Sequence, residues 1–202
     1  MNTVNKVDVC NEFIDRINEI DLYIRRCKDV FVSPSDSKYL EYSYENGIIM
    51  LYKAFEYFIM RTIIACLNHD HAFFEKKNKV RFGKHINIDV CEFLLTNGGY
   101  FDFAGRDGMS KVLAQTIGKE HNIAKVFKKN DYKDTIIQLC ALRNYAAHNS
   151  NQSKSAAMKS LALSNRIATP GKCLQQNRRF QKIMEGLRLL ANDVKDTPMF
   201  GG

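Results

Sequence analysis

Apolar residues recur at every third or fourth position along most of this chain, which is the spacing of one face of an α-helix. The pattern is clearest over 4–27 and about 38–68, where it predicts two long helices. Further helices are predicted over 87–96, 109–117, 122–128, 131–148, 156–164 and about 174–194. The alternation typical of strands is almost absent. We therefore predict an all-α fold, a bundle of four to five main helices with shorter helices between them, in a single domain over 1–202.

Polar and glycine-containing stretches separate the predicted helices. Residues 100–103 could form a short strand or an extended connection. Loops, turns or helix ends are predicted over 75–85, 97–99, 105–108, 149–155 and 169–171, because Gly, Asn, Ser and Pro favour turns over helix interiors. We expect 196–202 to be a flexible tail.

The composition is that of a globular protein. Of 202 residues, 45% are apolar, 26% are charged and only 3 are Pro, which excludes a disordered or collagen-like chain. The six cysteines lie far apart at mostly apolar positions, so we expect buried thiols in a reducing, cytoplasmic compartment. No secretion signal is expected at the start. Residues 47–67 are long enough to span a bilayer, but Lys53, Glu56 and Arg61 interrupt them, so we predict a core helix and no membrane association.

Basic residues are concentrated in the C-terminal third. The chain holds 30 Lys and Arg against 22 Asp and Glu, and 151–190 contains eight basic residues and one acid, Glu185. Such a surplus favours a polyanion such as RNA, DNA or an anionic membrane. This region is the candidate phosphate-binding surface, with a solvated charged face as the alternative. Its candidate RNA-binding residues are Lys154, Lys159, Arg178 and Arg179, and Arg166 belongs to the same run.

The string LRNYAAHNS, residues 142–150, places a cation where the helix is expected to be buried. Arg143 falls on the stripe that contains Ile136 and Cys140. A buried guanidinium without an anionic partner costs several kcal/mol. Two interpretations stay open: a structural salt bridge, for which Glu56 is the obvious carboxylate, or an anionic ligand.

The run Arg143-Asn144-Tyr145-Ala146-Ala147-His148 resembles the signature of HEPN domains, in which an Arg, usually followed by a polar residue, precedes a His by a few positions. The context is similar, because the run ends a helix downstream of a long apolar helix that carries YKAFEYF. The resemblance implies a metal-independent endoribonuclease without a cofactor, in which Arg143, Asn144 and His148 are catalytic. Glu56 is then either the structural partner of Arg143 or a supporting group that holds it poised.

The chemistry that the resemblance implies needs few groups. A deprotonated 2′-hydroxyl of RNA attacks the adjacent phosphorus and leaves a 2′,3′-cyclic phosphate and a 5′-hydroxyl. An imidazole, with an ordinary pKa near 6.5, can take or give the proton, and an Arg fork can neutralise the phosphoryl oxygens. Asn144 would orient the His, the Arg or the phosphate.

The spacing of the motif raises a geometric problem. Residues five apart on a regular helix point about 140° away from each other. Arg143 and His148 can therefore meet one phosphate only if the helix unwinds at its end or if two chains pool their residues. Dimers with a shared cleft are typical of the HEPN nucleases that the motif resembles. We predict a homodimer whose twofold axis passes near His148.

The resemblance also implies a biological setting in toxin–antitoxin, phage-defence or RNA-processing systems, with an antitoxin or a defence-system partner restraining the nuclease. HEPN toxins controlled by a nucleotidyltransferase commonly carry a Tyr two residues after the His, and here that residue is Ser150. The alternative function is a non-catalytic helical module that binds RNA or protein through its basic third. A third possibility is a subunit of a larger defence complex.

The other histidines are weaker candidates. His69, Asp70 and His71 lack further ligands at metal-binding spacing, so a helix-capping or solvent-exposed role is expected and no metal site is predicted. His85 and His121 stand alone in polar segments and are expected at the surface.

Overall fold

The structure, a computed structural model, describes residues 3–103, 105–163 and 169–199. All regular elements in these ranges are helical, which confirms the all-α prediction. The α-helices are α1 (Lys6–Val30), α2 (Ser37–His69), α3 (Ala72–Asn78), α4 (Ile88–Thr96), α5 (Gly105–Thr116), α6 (Asn122–Lys128), α7 (Lys133–His148), α8 (Asn151–Ser160), α9 (Pro170–Gln175) and α10 (Arg179–Asp196). Single 3₁₀ turns precede α2, α7 and α10.

Contacts divide the chain into two compact units. Unit 1 comprises Met1–Phe13, Phe55–Asn130 and Leu190–Gly202, and unit 2 comprises Ile14–Ala54 and Asp131–Leu189. Helices α1, α2 and α10 each contribute residues to both units. The single domain and the number of main helices in a bundle stay predictions.

Stacked and tilted aromatic rings fill the core of unit 1. The rings of Phe13 and Phe58 stack with centroids 4.4 Å apart, and Phe127 lies 5.9 Å from Phe58. Phe55 meets Phe103 edge to face at 5.8 Å. Such pairs contribute about 0.5–1.5 kcal/mol beyond the burial of their area.

Lys6, near the start of α1, contacts the C-terminal end of α10 within unit 1. It is 8% exposed, and its Nζ donates to the carbonyl oxygens of Val194 and Lys195, each at 2.8 Å, and of Thr197. These carbonyls belong to the C-terminal turn of α10 and its continuation, where no intrahelical donors remain. The ammonium group therefore caps α10, and burial lowers the pKa of Lys6.

Unit 2 is held together where α9 lies against α2. The Thr169 hydroxyl donates to Glu41 Oε2 at 2.6 Å, and the N–H of Gly171 donates to Glu45 Oε1 at 3.1 Å. Gly171 lies so close to the backbone of Glu41 that a Cβ atom would be 2.4 Å from its carbonyl oxygen. A short helix can approach this closely only through a glycine.

The prediction of the two long helices is confirmed, but three loop predictions are wrong. Within 75–85, residues up to Asn78 belong to α3, which buries Phe74. Residues 105–108 form the first turn of α5, although Gly105 keeps a positive φ of 73°. Within 149–155, only Asn149 and Ser150 lie outside a helix, because α8 begins at residue 151.

Two further boundaries differ from the prediction. Residues 169–171 begin a helix and do not end one: Thr169 accepts the N–H of Lys172 and caps α9. The helix predicted over 174–194 is interrupted at 176–178, where Asn177 has a φ of 53°. Residues 100–103 are not a strand, and residue 164, at the predicted end of 156–164, lies outside the described residues.

The cysteines and the hydropathy agree with the sequence analysis. All six cysteines are free, and all but Cys27 are buried. Burial raises the pKa of Cys10 and Cys91 to about 11 and that of Cys66 to about 12, so these thiols stay protonated. In the part of the chain that the structure describes, none of the helices combines the length and the apolar character that crossing a membrane requires.

Candidate functional site

The HEPN-like motif lies in the last turns of α7, which stays regular to its end. Asn149 follows His148 in the left-handed conformation, with φ 44° and ψ 34°, and its N–H bonds to the carbonyl oxygen of Tyr145 at 2.9 Å. The unwound end that could have turned Arg143 and His148 toward one side is not formed. The two side chains therefore leave α7 about 140° apart.

Arg143 contacts Tyr52 and Asn144 within unit 2. Its guanidinium carbon lies 4.0 Å from the centroid of the buried Tyr52 ring on α2, which is cation–π geometry. Its Nη1 donates to Asn144 Oδ1 at 2.8 Å. The side chain as a whole is half-buried. These contacts hold the guanidinium in one position, which is what a phosphate-binding Arg requires.

Asn144 contacts the cation and shares a helix face with the imidazole. Asn144 and His148 are four residues apart on a regular helix, so their side chains are neighbours on one face, and both are exposed. Asn144 accepts a hydrogen bond from the Arg143 guanidinium, whereas the backbone positions of Arg143 and His148 stay about 140° apart.

Tyr145, in the middle of the motif, is a buried anchor. It is 2% exposed, and burial, followed by the nearby charges of Glu45 and Cys173, raises its pKa. The phenol therefore stays neutral and cannot act as a base near neutral pH. Tyr145 anchors the last turn of α7 in the core, so the adjacent residue Asn144 lies on the solvent side of the helix.

A two-residue turn fixes the direction of the chain after α7. The side chain of Ser150 accepts the N–H of Ser153 at 3.1 Å, and Ser153 returns the same interaction at 3.1 Å, which forms a capping box. Lys154 and Lys159 lie on α8, the first half-buried and the second exposed. Lys154 lines a groove of about 330 Å³ with Asn151 and Met158.

The other two RNA-binding candidates take part in local interactions. Arg179 Nη1 donates to the carbonyl oxygen of Cys173 at 2.9 Å and to Gln176 Oε1 at 3.3 Å. Arg178 Nη2 lies 3.8 Å from Glu185 Oε1, with both side chains more than half exposed. RNA binding by these two residues stays a prediction, and Arg166 lies outside the described residues.

Glu56 belongs to unit 1. It is half-buried on α2 and lines a cavity of about 330 Å³ with Tyr57, Met60, Glu92 and Tyr100. Both interpretations of Glu56, as the partner of Arg143 and as a supporting group, stay predictions.

Residues 69–71 lie at the junction of α2 and α3. Asp70 Oδ1 accepts the N–H of Ala72 at 2.9 Å at the start of α3, and His71 Nε2 lies 3.7 Å from Glu75 Oε1. The expected capping role of this segment is confirmed, and His85 is exposed as predicted.

His121 is not the free surface residue that we expected. Its Nδ1 accepts the N–H of Ile123 at 3.2 Å and caps α6, and the side chain is half-buried. Burial lowers the pKa of His121. Histidine is an uncommon N-cap, which is why the sequence did not reveal this role.

Potential metal ligands do not converge in the described ranges, where no three His, Cys, Asp or Glu residues are placed to hold an ion. Comparisons of the chain with protein-family models, with curated proteins and with solved structures find no match. The contact of Arg143 with Tyr52 is the feature that sequence reasoning missed, because no local pattern indicates which aromatic ring will cover a cation.

Proposed function

We propose that this chain is a metal-independent endoribonuclease whose active site is the C-terminal end of α7, carried by a helical bundle of the HEPN type. The observation that carries the proposal is the chain of contacts along one helix end. Tyr52 and Asn144 hold the Arg143 guanidinium, and Asn144 shares an exposed face with His148. A cation that stabilises the phosphate oxygens and an exposed imidazole are the minimum that phosphodiester transesterification in RNA requires.

Each group has a defined task in the proposed reaction. The 2′-hydroxyl gives its proton to an imidazole, its oxygen bonds to phosphorus, and the bond from phosphorus to the 5′-oxygen breaks. The leaving oxygen takes a proton from a second acid, and the products are a 2′,3′-cyclic phosphate and a 5′-hydroxyl. Arg143 stabilises the negative charge on the two non-bridging oxygens.

This reaction favours a dimer. The attacking and leaving oxygens lie on opposite sides of phosphorus in an in-line displacement, so one imidazole cannot serve both at once. Each chain supplies one His148. Two copies that meet at the ends of α7 would supply a base and an acid, together with two guanidinium groups, in one cleft.

The direct test is cleavage of a structured RNA in EDTA, with analysis of the product ends. We expect cyclic phosphate ends from the wild type and a loss of about a hundredfold or more in His148→Ala, the range typical of a lost acid–base group. His85→Ala is the matched control, because His85 is an exposed histidine of unit 1. Intact RNA with salt-sensitive retention would instead indicate the binding module.

Two further measurements test whether cleavage needs the paired N–H donors of Arg143 and whether it needs a dimer. Arg143→Lys keeps the charge and loses the planar pair of donors, so cleavage should fall while the circular dichroism spectrum is unchanged. The specific activity of the wild type should rise with protein concentration over the range in which sedimentation shows dimers forming. A monomer that cleaves at the full rate would refute the shared cleft.

The cellular role is part of the same proposal. A cytoplasmic nuclease of this kind would act as a toxin or as an antiviral effector under the control of an antitoxin or a defence partner. Induced expression in bacteria should stop growth for the wild type, and the His148→Ala variant should be tolerated at the same protein level. Equal toxicity of the two proteins would show that growth arrest does not depend on cleavage.

A further inference from the structure

A cavity in unit 1 combines carboxylates with aromatic rings. It lies between α2 and α4 with the turn that follows α4, and its volume is about 330 Å³. Its lining includes two carboxylates, three aromatic rings and one thioether, from Glu56, Glu92, Tyr57, Tyr100, Phe101 and Met60. Among the described residues that line it, none is a Lys, Arg or His. An acidic and aromatic cavity is unexpected in a chain with a net charge of +8.

The segment that forms one wall of this cavity is acidic along its length. Residues 86–105 contain Asp89, Glu92 and Asp102 but no Lys, Arg or His. Glu92 is half-buried, and it makes no ion pair with a residue that the structure describes. The charge of Glu92 is therefore available to a cationic ligand.

Exposed aromatic rings surround the cavity. Tyr57 is 53% exposed, Phe93 is 61% exposed and Tyr100 is 98% exposed, and we call these three residues the aromatic patch. Tyr57 and Tyr100 line the cavity itself. Phe93 lies beside it, because a Cβ atom at Gly98, in the turn that borders the cavity, would be 3.4 Å from the Phe93 ring. Neighbouring aromatic side chains that stay in water are typical of surfaces where a protein partner binds.

The turn that carries part of this patch is held by hydrogen bonds and by the core. The N–H of Gly98 donates to Thr96 Oγ1 at 3.2 Å, and the N–H of Gly99 donates to the carbonyl oxygen of Thr96 at 2.9 Å. Phe101 meets the buried Phe103 edge to face, with centroids 6.1 Å apart. A surface that is formed in advance loses little conformational entropy when a partner binds.

We propose that this cavity receives an arginine side chain of a partner protein, while the aromatic patch contacts the apolar residues on either side of that arginine. A guanidinium group suits both kinds of lining, because it stacks on aromatic rings and donates paired hydrogen bonds to a carboxylate. Arg, Tyr, Phe and Met are the residues enriched at protein interfaces. The acidic wall repels phosphates, so it disfavours a nucleic acid as the occupant.

The contacts within the cavity single out Tyr100 and Glu92. The Tyr57 ring already has a cation nearby, because the guanidinium carbon of Arg61 lies 5.9 Å from its centroid. The Tyr100 ring is almost fully exposed and is the freer of the two. Phe93 lies outside the cavity, so a small free cation would leave it in water, whereas a peptide chain would cover it.

NMR titration of the full ¹⁵N-labelled chain with short capped peptides tests the proposal. The probe is the pentapeptide Gly-Leu-Arg-Leu-Gly, and its control has Gln in place of Arg. We expect saturable shifts of amide signals within 56–60 and 92–101, with the Arg peptide binding about tenfold or more tightly than the Gln peptide. The measurement does not involve RNA, so it stands or fails separately from the proposed nuclease.

Two pairs of variants locate the binding site. Glu92→Gln should weaken binding of the Arg peptide about tenfold or more, because it removes a charge-assisted hydrogen bond. Its matched control is Glu12→Gln, at an exposed glutamate of unit 1 outside the cavity. Tyr100→Ala should weaken binding about threefold or more. Its control is Tyr42→Ala, at an exposed tyrosine whose ring centroid also has a cation nearby, Lys38 Nζ at 5.6 Å.

Four results would overturn the proposal. Two of them concern the peptides: no saturable binding, or equal binding of the Arg and Gln peptides. The third is an equal loss of binding in a cavity variant and its control. The fourth comes from a parallel titration with spermidine: if spermidine binds as tightly as the Arg peptide and depends on Glu92, the occupant is a free polyamine and not a protein.

Discussion

Replacing Gly171 with alanine tests the packing of α9 against α2. A Cβ atom at this position would lie 2.4 Å from the carbonyl oxygen of Glu41 and 2.7 Å from its carbonyl carbon and Cα. All three are backbone atoms of a long helix, so no side-chain rotation can relieve the overlap. In Gly171→Ala, α9 must therefore move away from α2.

The cost of that movement follows from the contacts between α9 and α2. Excess volume in a packed core costs about 1–3 kcal/mol. The displacement also stretches the bonds of Thr169 to Glu41 and of the residue 171 N–H to Glu45. Hydrogen bonds to charged acceptors contribute about 1.5–3 kcal/mol each when fully made. With part of each lost, we expect Gly171→Ala to lower the free energy of unfolding by about 2–4 kcal/mol.

Urea denaturation followed by circular dichroism measures this change. With a slope of about 2–3 kcal/mol per molar urea, the midpoint should fall by about 1–2 M while the slope stays constant. Gly83→Ala is the matched control, because a Cβ atom there would meet no other atom within 4 Å. Its effect should stay within about 0.5 kcal/mol. Equal stability of the two variants would show that α9 does not lie against α2 as described.

Three further predictions test other contacts. Lys6→Met should lower the free energy of unfolding by about 2–4 kcal/mol, because it leaves the last carbonyls of α10 without a donor; thermal melting should show little change for the exposed control Lys76→Met. Burial lowers the pKa of His121 in the folded state, so wild-type stability should fall as the pH drops from about 6.5 through that lowered pKa. His121→Asn keeps the cap and removes the part of the pH dependence that His121 contributes. If the free energies of unfolding of the two proteins changed in parallel over pH 5–8, the reasoning would be contradicted. A double-mutant cycle of Tyr52→Leu with Arg143→Met should give a coupling of about 0.5–2 kcal/mol, and additive effects would exclude the cation–π contact.

The long helices could be predicted because their signal is local and repeated. The ranges 4–27 and 38–68 differ by at most a few residues from Lys6–Val30 and Ser37–His69. In each, the apolar period extends over several turns, so a single unusual residue does not hide it.

Helix α3 and the first turn of α5 were missed because their stability comes from tertiary contacts. The basic run after residue 75 looks like a loop, yet Phe74 anchors α3 in the core and Asp70 caps it. At residues 105–108, one glycine provides the left-handed residue that begins α5 and the other lies within its first turn. Composition alone cannot show which side chain finds a buried partner.

The residues of the candidate site could be predicted from the sequence motif, but their contacts with the rest of the fold could not. The positions of Arg143, Asn144 and His148 on one helix follow from their spacing. The position of the Tyr52 ring beneath the guanidinium depends on segments that are distant in sequence. Such juxtapositions require the tertiary structure.

Substitution of Asn144 distinguishes a catalytic role of Arg143 from a structural one. The Oδ1 of Asn144 accepts a hydrogen bond from the guanidinium, and an amide oxygen carries no net charge. Asn144→Asp would keep the acceptor at the same distance and add a negative charge. A structural cation gains an ion pair from this change, and stability should stay equal or rise slightly. If Arg143 acts on the phosphate, the added carboxylate competes with the phosphate for the guanidinium, so RNA cleavage should fall about tenfold or more while the fold is unchanged. Full cleavage by Asn144→Asp would mean that the charge of Arg143 does not act on the phosphate.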